Sequence, residues 1–180
     1  MISKTEATEI LHSMVDSESL RRHCLSVSMV MEAYAKKLGH DAEQWAVTGL
    51  LHDADYEKFP EQHPNIIVNQ LRERGEEEIA HAISAHHTSW GVPYNSTLDK
   101  ALLACDELTG FVVAASLIRP TRMDGMKVKS VTKKLKTKTF AAGVEREEVY
   151  KGAELFEVDI REHIAFIIQV LQENAMELGL

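Results

Sequence analysis

Apolar side chains recur at steps of three and four along most of the chain, with polar residues between them. That is the period of the α-helix rather than of a strand. Leu20, His23, Val27, Val30 and Tyr34 share one such face. Asp16 or Ser17 can cap it, and Leu38-Gly39 ends it. Asp41 with Gln44 has the spacing of a capping box. The helix it opens runs through Trp45, Val47, Leu50 and Leu51 and delivers His52-Asp53 at its end. Residues 55–64 read as a loop, bracketed by Pro60 and Pro64. A helix over about 65–74 stops at Gly75. The next starts in Glu76-Glu77-Glu78, acidic residues that suit a helix N-terminus, and carries Ile79, Ile83 and His86 on one face. Gly91-Val92-Pro93-Tyr94-Asn95 is a loop. Ser96 with Asp99 caps a helix holding Leu102, Leu103, Asp106 and Thr109. The last helix starts near Asp159, with Glu162 as capping-box partner, and runs to about Glu177. Val112-Val113 and residues 128–131 would suit strands, but they are short and isolated. The pattern predicts an all-α fold, a single compact helical bundle.

At 180 residues the chain fits one domain with a sizeable core. No apolar stretch approaches the roughly 20 residues that span a membrane. Met1-Ile2-Ser3-Lys4-Thr5-Glu6 lacks the layout of a signal peptide, so a cytoplasmic location is expected. Two cysteines, Cys24 and Cys105, are too few for a disulfide framework and read as small buried residues. The net charge of −8 argues against general affinity for DNA. The charge is uneven, however. Residues 119–138 hold eight lysines and arginines against one aspartate, Asp124.

The candidate chemistry lies on the apolar faces. His23, His52-Asp53 and Asp106 place two imidazoles and two carboxylates on stretches that should be buried. Such groups are rarely buried without a partner. Each has an ordinary reading by itself: a hydrogen-bonded core histidine, a His-Asp pair, an aspartate facing a lysine. Together, on three helices, they suit a divalent metal ion. Adjacent residues on a helix point about 100° apart, but His52 and Asp53 can converge at a fraying last turn. Two imidazoles with two carboxylates suit Mn, Fe, Co, Ni or Zn. An ion so held activates water and polarises a phosphoryl oxygen.

His … His-Asp … Asp, met by His23, His52-Asp53 and Asp106, resembles the signature of the HD superfamily of metal-dependent phosphohydrolases. The resemblance covers about residues 20–120 and leaves a C-terminal helical extension over 121–180. Arg22-His23-Cys24, Gly49-Leu50-Leu51-His52-Asp53 and Asp106-Glu107-Leu108-Thr109-Gly110 carry it. With His52-Asp53-Ala54-Asp55-Tyr56-Glu57 and Phe140-Ala141-Ala142-Gly143-Val144, the chain is similar to a bacterial HD subgroup of predicted hydrolases. The resemblance implies a helical HD-type bundle and one or two divalent ions (Mn, Fe, Co, Ni, Zn or Mg). It also implies hydrolysis of a phosphoester or phosphoanhydride in a small phosphorylated metabolite, a nucleotide being the leading example. The Gly-Tyr-Pro tripeptide of the cyclic-dinucleotide phosphodiesterase branch is absent.

Dinuclear relatives add histidines between the His-Asp pair and the last Asp, and the first Asp then bridges two ions. His86, pointing inward, and then His63 are the candidates here; His81 and His87 read as solvated. Asp55, two residues from a ligand, is the expected general base or acid, with Glu57 a solvated loop acid. Arg119, Lys127, Lys129 and Lys133, with Lys134, are candidates for substrate phosphate; Arg146 is a weaker one. Two other readings stay open: a diiron HD-type oxygenase, which needs His63 and His86 as ligands, and a non-catalytic metal- or nucleotide-binding regulatory module. Nothing in the sequence fixes the oligomeric state.

Overall fold

The computed structural model describes residues 2–180. They form ten α-helices: α1 (Lys4–Met14), α2 (Glu18–Leu38), α3 (Ala42–Leu51), α4 (Asn65–Glu73), α5 (Glu77–Ser84), α6 (Thr97–Leu117), α7 (Val128–Leu135), α8 (Arg146–Leu155), α9 (Ile160–Glu173) and α10 (Ala175–Leu178). A 3₁₀ turn, Thr88–Trp90, links α5 to α6. There is no strand among the described residues: Val112-Val113 lies inside α6, and residues 128–131 open α7. The fold is all-α.

Local chemistry sets most of the boundaries. Ser17, not Asp16, caps α2 by accepting from the Leu20 amide. Gly39 ends that helix at φ 76°, a left-handed conformation that costs glycine little. Ser96 and Asp99 form the full capping box of α6. At α3 the box is half made, because Gln44 sends its amide to Glu78 instead of back to the cap. Asp159 alone caps α9 through the Arg161 and Glu162 amides, and that helix stops at Glu173, with α10 following. α1 carries its own capping box from Ser3 and Glu6. α5 ends at Ser84, so His86 stands in the turn beyond it rather than on the helical face of Ile79 and Ile83.

Two long helices, α2 and α6, form the centre. α3 packs against α2, and α8 packs against α6. Both contacts depend on a glycine. A Cβ at Gly49 would lie 2.8 Å from the Ser28 backbone, and one at Gly152 would lie 2.7 Å from Ala104 Cα. One cluster of buried apolar residues runs from Ile2 to Leu178. The side chains of His23, His52 and Asp106 therefore start from α2, the end of α3 and α6, which pack on one another. No helix among the described residues is long and apolar enough to cross a membrane.

Candidate metal centre

His23 Nε2, His52 Nε2 and Asp106 Oδ1 converge. His23 Nε2 lies 3.1 Å from His52 Nε2 and 3.0 Å from Asp106 Oδ1, and His52 Nε2 lies 3.2 Å from Asp106 Oδ1. Asp53 Oδ2 closes the group at 3.6 Å from His23 and 3.5 Å from His52. Ligands about 2.1 Å from one ion sit about 3.0–3.4 Å apart in octahedral or tetrahedral arrangement, so these spacings fit one ion.

The other oxygen of Asp53 faces elsewhere. Oδ1 is 3.4 Å from His63 Nε2 and 3.5 Å from His86 Nε2. Both of those nitrogens are buried without a hydrogen-bond partner. Unpaired buried polar atoms are costly, and an ion between them and Asp53 would satisfy both. A ring nitrogen of His87 completes a second set with His63 and His86, all within 4.8 Å of one another. Asp53 thus stands between two groups of histidines, one oxygen toward each.

The opposite ring nitrogens are already committed. His52 Nδ1 donates to Gly49 O at 2.8 Å, and His86 Nδ1 donates to Ile83 O at 2.6 Å. His63 Nδ1 meets Asp55 Oδ1 at 2.6 Å. Each bond fixes a tautomer whose Nε2 lone pair points inward, the arrangement that holds histidine ligands. His23 fits because residue 110 is glycine: a Cβ there would lie 3.2 Å from its Nδ1. Electrostatics favour a cation at the centre. Burial works against a charged His52, yet Asp53 and Asp106 outweigh it and hold its imidazolium up to about 10. Burial opposes ionisation of both aspartates, but His52 and the other histidines bring them below the usual carboxylate range.

Asp55 stands apart from the base role expected of it. It is fully buried; Oδ1 accepts from His63 and Oδ2 accepts from the Ile67 amide at 3.0 Å. Its place is behind His63. Glu57 ties the amides of Asp16 and Ser17 at 3.0 and 3.1 Å. His81 is held by Asp99 at 3.2 Å.

A cleft of about 560 Å³ opens on the histidine-aspartate group. Asp53, Asp106, His23 and His87 line it, together with Val113, Ala114, Leu117 and Val144. Glu107 also lines it, pushed up to about 8 by burial and by the neighbouring Asp106. Arg119, Lys127, Lys129 and Lys133 do not line it. Arg119 is turned onto the carbonyls of Arg122 and Asp124 in its own loop. Lys127, Lys129 and Lys133 are exposed around α7. Arg22 is the one lysine or arginine that borders the cleft, and no carboxylate among the described residues pairs with it. Arg146 shapes the rim from behind, donating to the carbonyls of Thr137, Phe140, Ala141 and Val144. Cys24 and Cys105 are buried, unbridged, and raised by burial.

The model of the HD domain family matches residues 20–110. The chain belongs to the HD domain family. HD domains form a superfamily that is typically of metal-dependent hydrolases and binds divalent ions. No curated protein and no solved structure matches the chain. The matched stretch of this HD domain contains His23, His52, Asp53, His63, His86, His87 and Asp106. It leaves out Glu148. That residue of α8 pairs with His87 Nδ1 at 3.0 Å and accepts from the Thr88 amide and hydroxyl, both at 2.7 Å. Neither His87 nor Glu148 was expected at the centre. A helical count from Ile83 turns His87 outward, whereas α5 has already ended. Glu148 lies 61 residues from its partner, with no spacing signal to announce it.

Proposed function

We propose that this HD domain is a phosphohydrolase that cleaves a phosphoester or phosphoanhydride of a small phosphorylated metabolite, with a nucleotide as the first class to test. The observation that supports this reading best is the position of Asp53, one oxygen facing His23 and His52 and the other facing His63 and His86. Divalent ions held there supply an activated water and positive charge against a phosphoryl oxygen.

The chain's own residues do the rest. His52, His63 and His86 are locked with Nε2 inward by Gly49 O, Asp55 and Ile83 O. The site needs no rearrangement of these rings to bind a cation, which favours preorganised charge stabilisation. Val113, Ala114, Leu117 and Val144 give the cleft an apolar side. Arg22 borders the cleft with its guanidinium beside Gly179, and turning that group inward would offer it to a phosphate; Glu107 stands beside Asp106 with a proton to give near neutral pH.

Elemental analysis of the purified chain and of Asp53→Ala tests the site. Phosphate release from a panel of phosphomonoesters and nucleotides tests the reaction. The expected result is at least one transition metal per chain, lost with turnover in Asp53→Ala. Turnover that survives in metal-free Asp53→Ala would sink the proposal. The convergence of His63 and His86 on Asp53 Oδ1 also suits the diiron oxygenase reading. Two irons per chain with oxygen-dependent chemistry and no phosphate release would select it. Tight metal or nucleotide binding without turnover of any kind would select a regulatory module.

A further inference from the structure

The HD match ends at residue 110, yet the centre does not. Glu148 lies on α8 and is 6% exposed. Its oxygens are both used: Oε1 accepts from Thr88 N and Thr88 Oγ1, and Oε2 accepts from His87 Nδ1. A carboxylate only accepts, so His87 must carry its proton on Nδ1. The nitrogen left for a ligand is Nε2. His87 belongs to the set with His63 and His86, whose own Nε2 atoms are buried without partners. The grip on Thr88 fixes the backbone just after His87, so ring and main chain are held by one side chain.

The helix that brings Glu148 is itself placed closely. Gly152 follows by four residues and so shares the same face of α8. It meets α6 at Ala104, two residues before Asp106, at a distance that admits no Cβ. His87, Glu107 and Glu148 also cluster; there His87 and Thr88 engage the Glu148 oxygens, and Glu107 Oε2 accepts from the Glu145 amide at 3.2 Å.

We infer that Glu148 is a positioning residue for His87, and that α8, outside the HD-matched stretch, thereby completes a three-histidine position for a second divalent ion. The inference rests on the two-ion reading of Asp53. A carboxylate behind a histidine ligand raises its basicity and fixes its orientation, and loss of such a partner typically costs about 10–100-fold in metal affinity.

The test is titration of the metal-free protein with Co(II), followed by absorbance and by metal retained per chain. Wild type should take up two equivalents. Glu148→Gln should bind the first as wild type does and the second about 10–100-fold more weakly. His87→Ala should show the same loss, and the double variant no further loss, because the two act as one unit. Lys151→Ala, an exposed position of α8 that pairs with Glu154, is a control that should keep the second equivalent. An unchanged second equivalent in Glu148→Gln, or losses that add in the double variant, overturns the inference. A wild type that accepts only one equivalent overturns the two-ion reading and the inference with it. If Glu148→Gln fails to fold, ¹H–¹⁵N correlation of the imidazoles in zinc-loaded wild type decides. A proton on Nδ1 of His87 supports the inference, and a proton on Nε2 overturns it.

Discussion

At the scale of single residues, the centre is built from histidines whose far nitrogens are already engaged. Asp55 shows how this changes a role. Its proximity to Asp53 in sequence suggested proton transfer, but both of its oxygens are committed, one to His63 and one to Ile67. Asp55→Asn should therefore lower metal affinity by about 10–100-fold, measured by competition with a chelating dye. A general base would instead lose turnover with metal content intact. The cations separate in the same way. Arg22→Ala should lower kcat/KM for a phosphorylated substrate by about tenfold, the worth of one charged hydrogen bond. Lys129→Ala and Lys133→Ala, both exposed and away from the cleft, should leave it within about twofold, as is usual for solvated surface charges.

At the scale of elements, two glycines let helices approach until backbones touch. Gly152 is the more informative, because α8 carries Glu148 one turn earlier. Gly152→Ala would place a methyl 2.7 Å from Ala104 Cα and 2.8 Å from Leu103 O. Both are backbone atoms of α6 and cannot swing away. Overpacking of this kind costs about 1–3 kcal/mol, to be read as a lower midpoint in urea unfolding. Where elements begin and end was mostly legible, because caps are local: Ser17, Gly39 and Ser96 with Asp99 act on amides within their own turn. The end of α5 was not. Nothing in Ser84-Ala85-His86-His87 breaks a helix by composition, and the two-residue difference decides whether His87 faces solvent or its neighbouring histidines.

At the scale of the whole molecule, His163 joins three helices. Its Nδ1 accepts from Tyr34 of α2 at 2.6 Å and its Nε2 donates to Ala104 O of α6 at 2.8 Å, from its own place on α9. Burial lowers it to about 4, against a partial offset from the Ala104 carbonyl. The fold thus holds it neutral while the unfolded chain takes up a proton below about pH 6.5. Stability from this group is full above that value and falls as pH drops toward 4, by up to about 3 kcal/mol. Urea unfolding of metal-free protein across this range should show the slope, and His163→Gln should flatten it. The sequence by itself determined the helical class, because helical periodicity and caps are local. It also singled out His23, His52-Asp53 and Asp106 as candidates, because those groups stand out on apolar faces. Tertiary structure alone decided that Asp53 faces two groups, that Asp55 stands behind His63, that the basic segment lies away from the cleft, and that Glu148 reaches His87. Each of these depends on where packed helices bring side chains distant in sequence, and on backbone directions at helix ends, which no local pattern encodes.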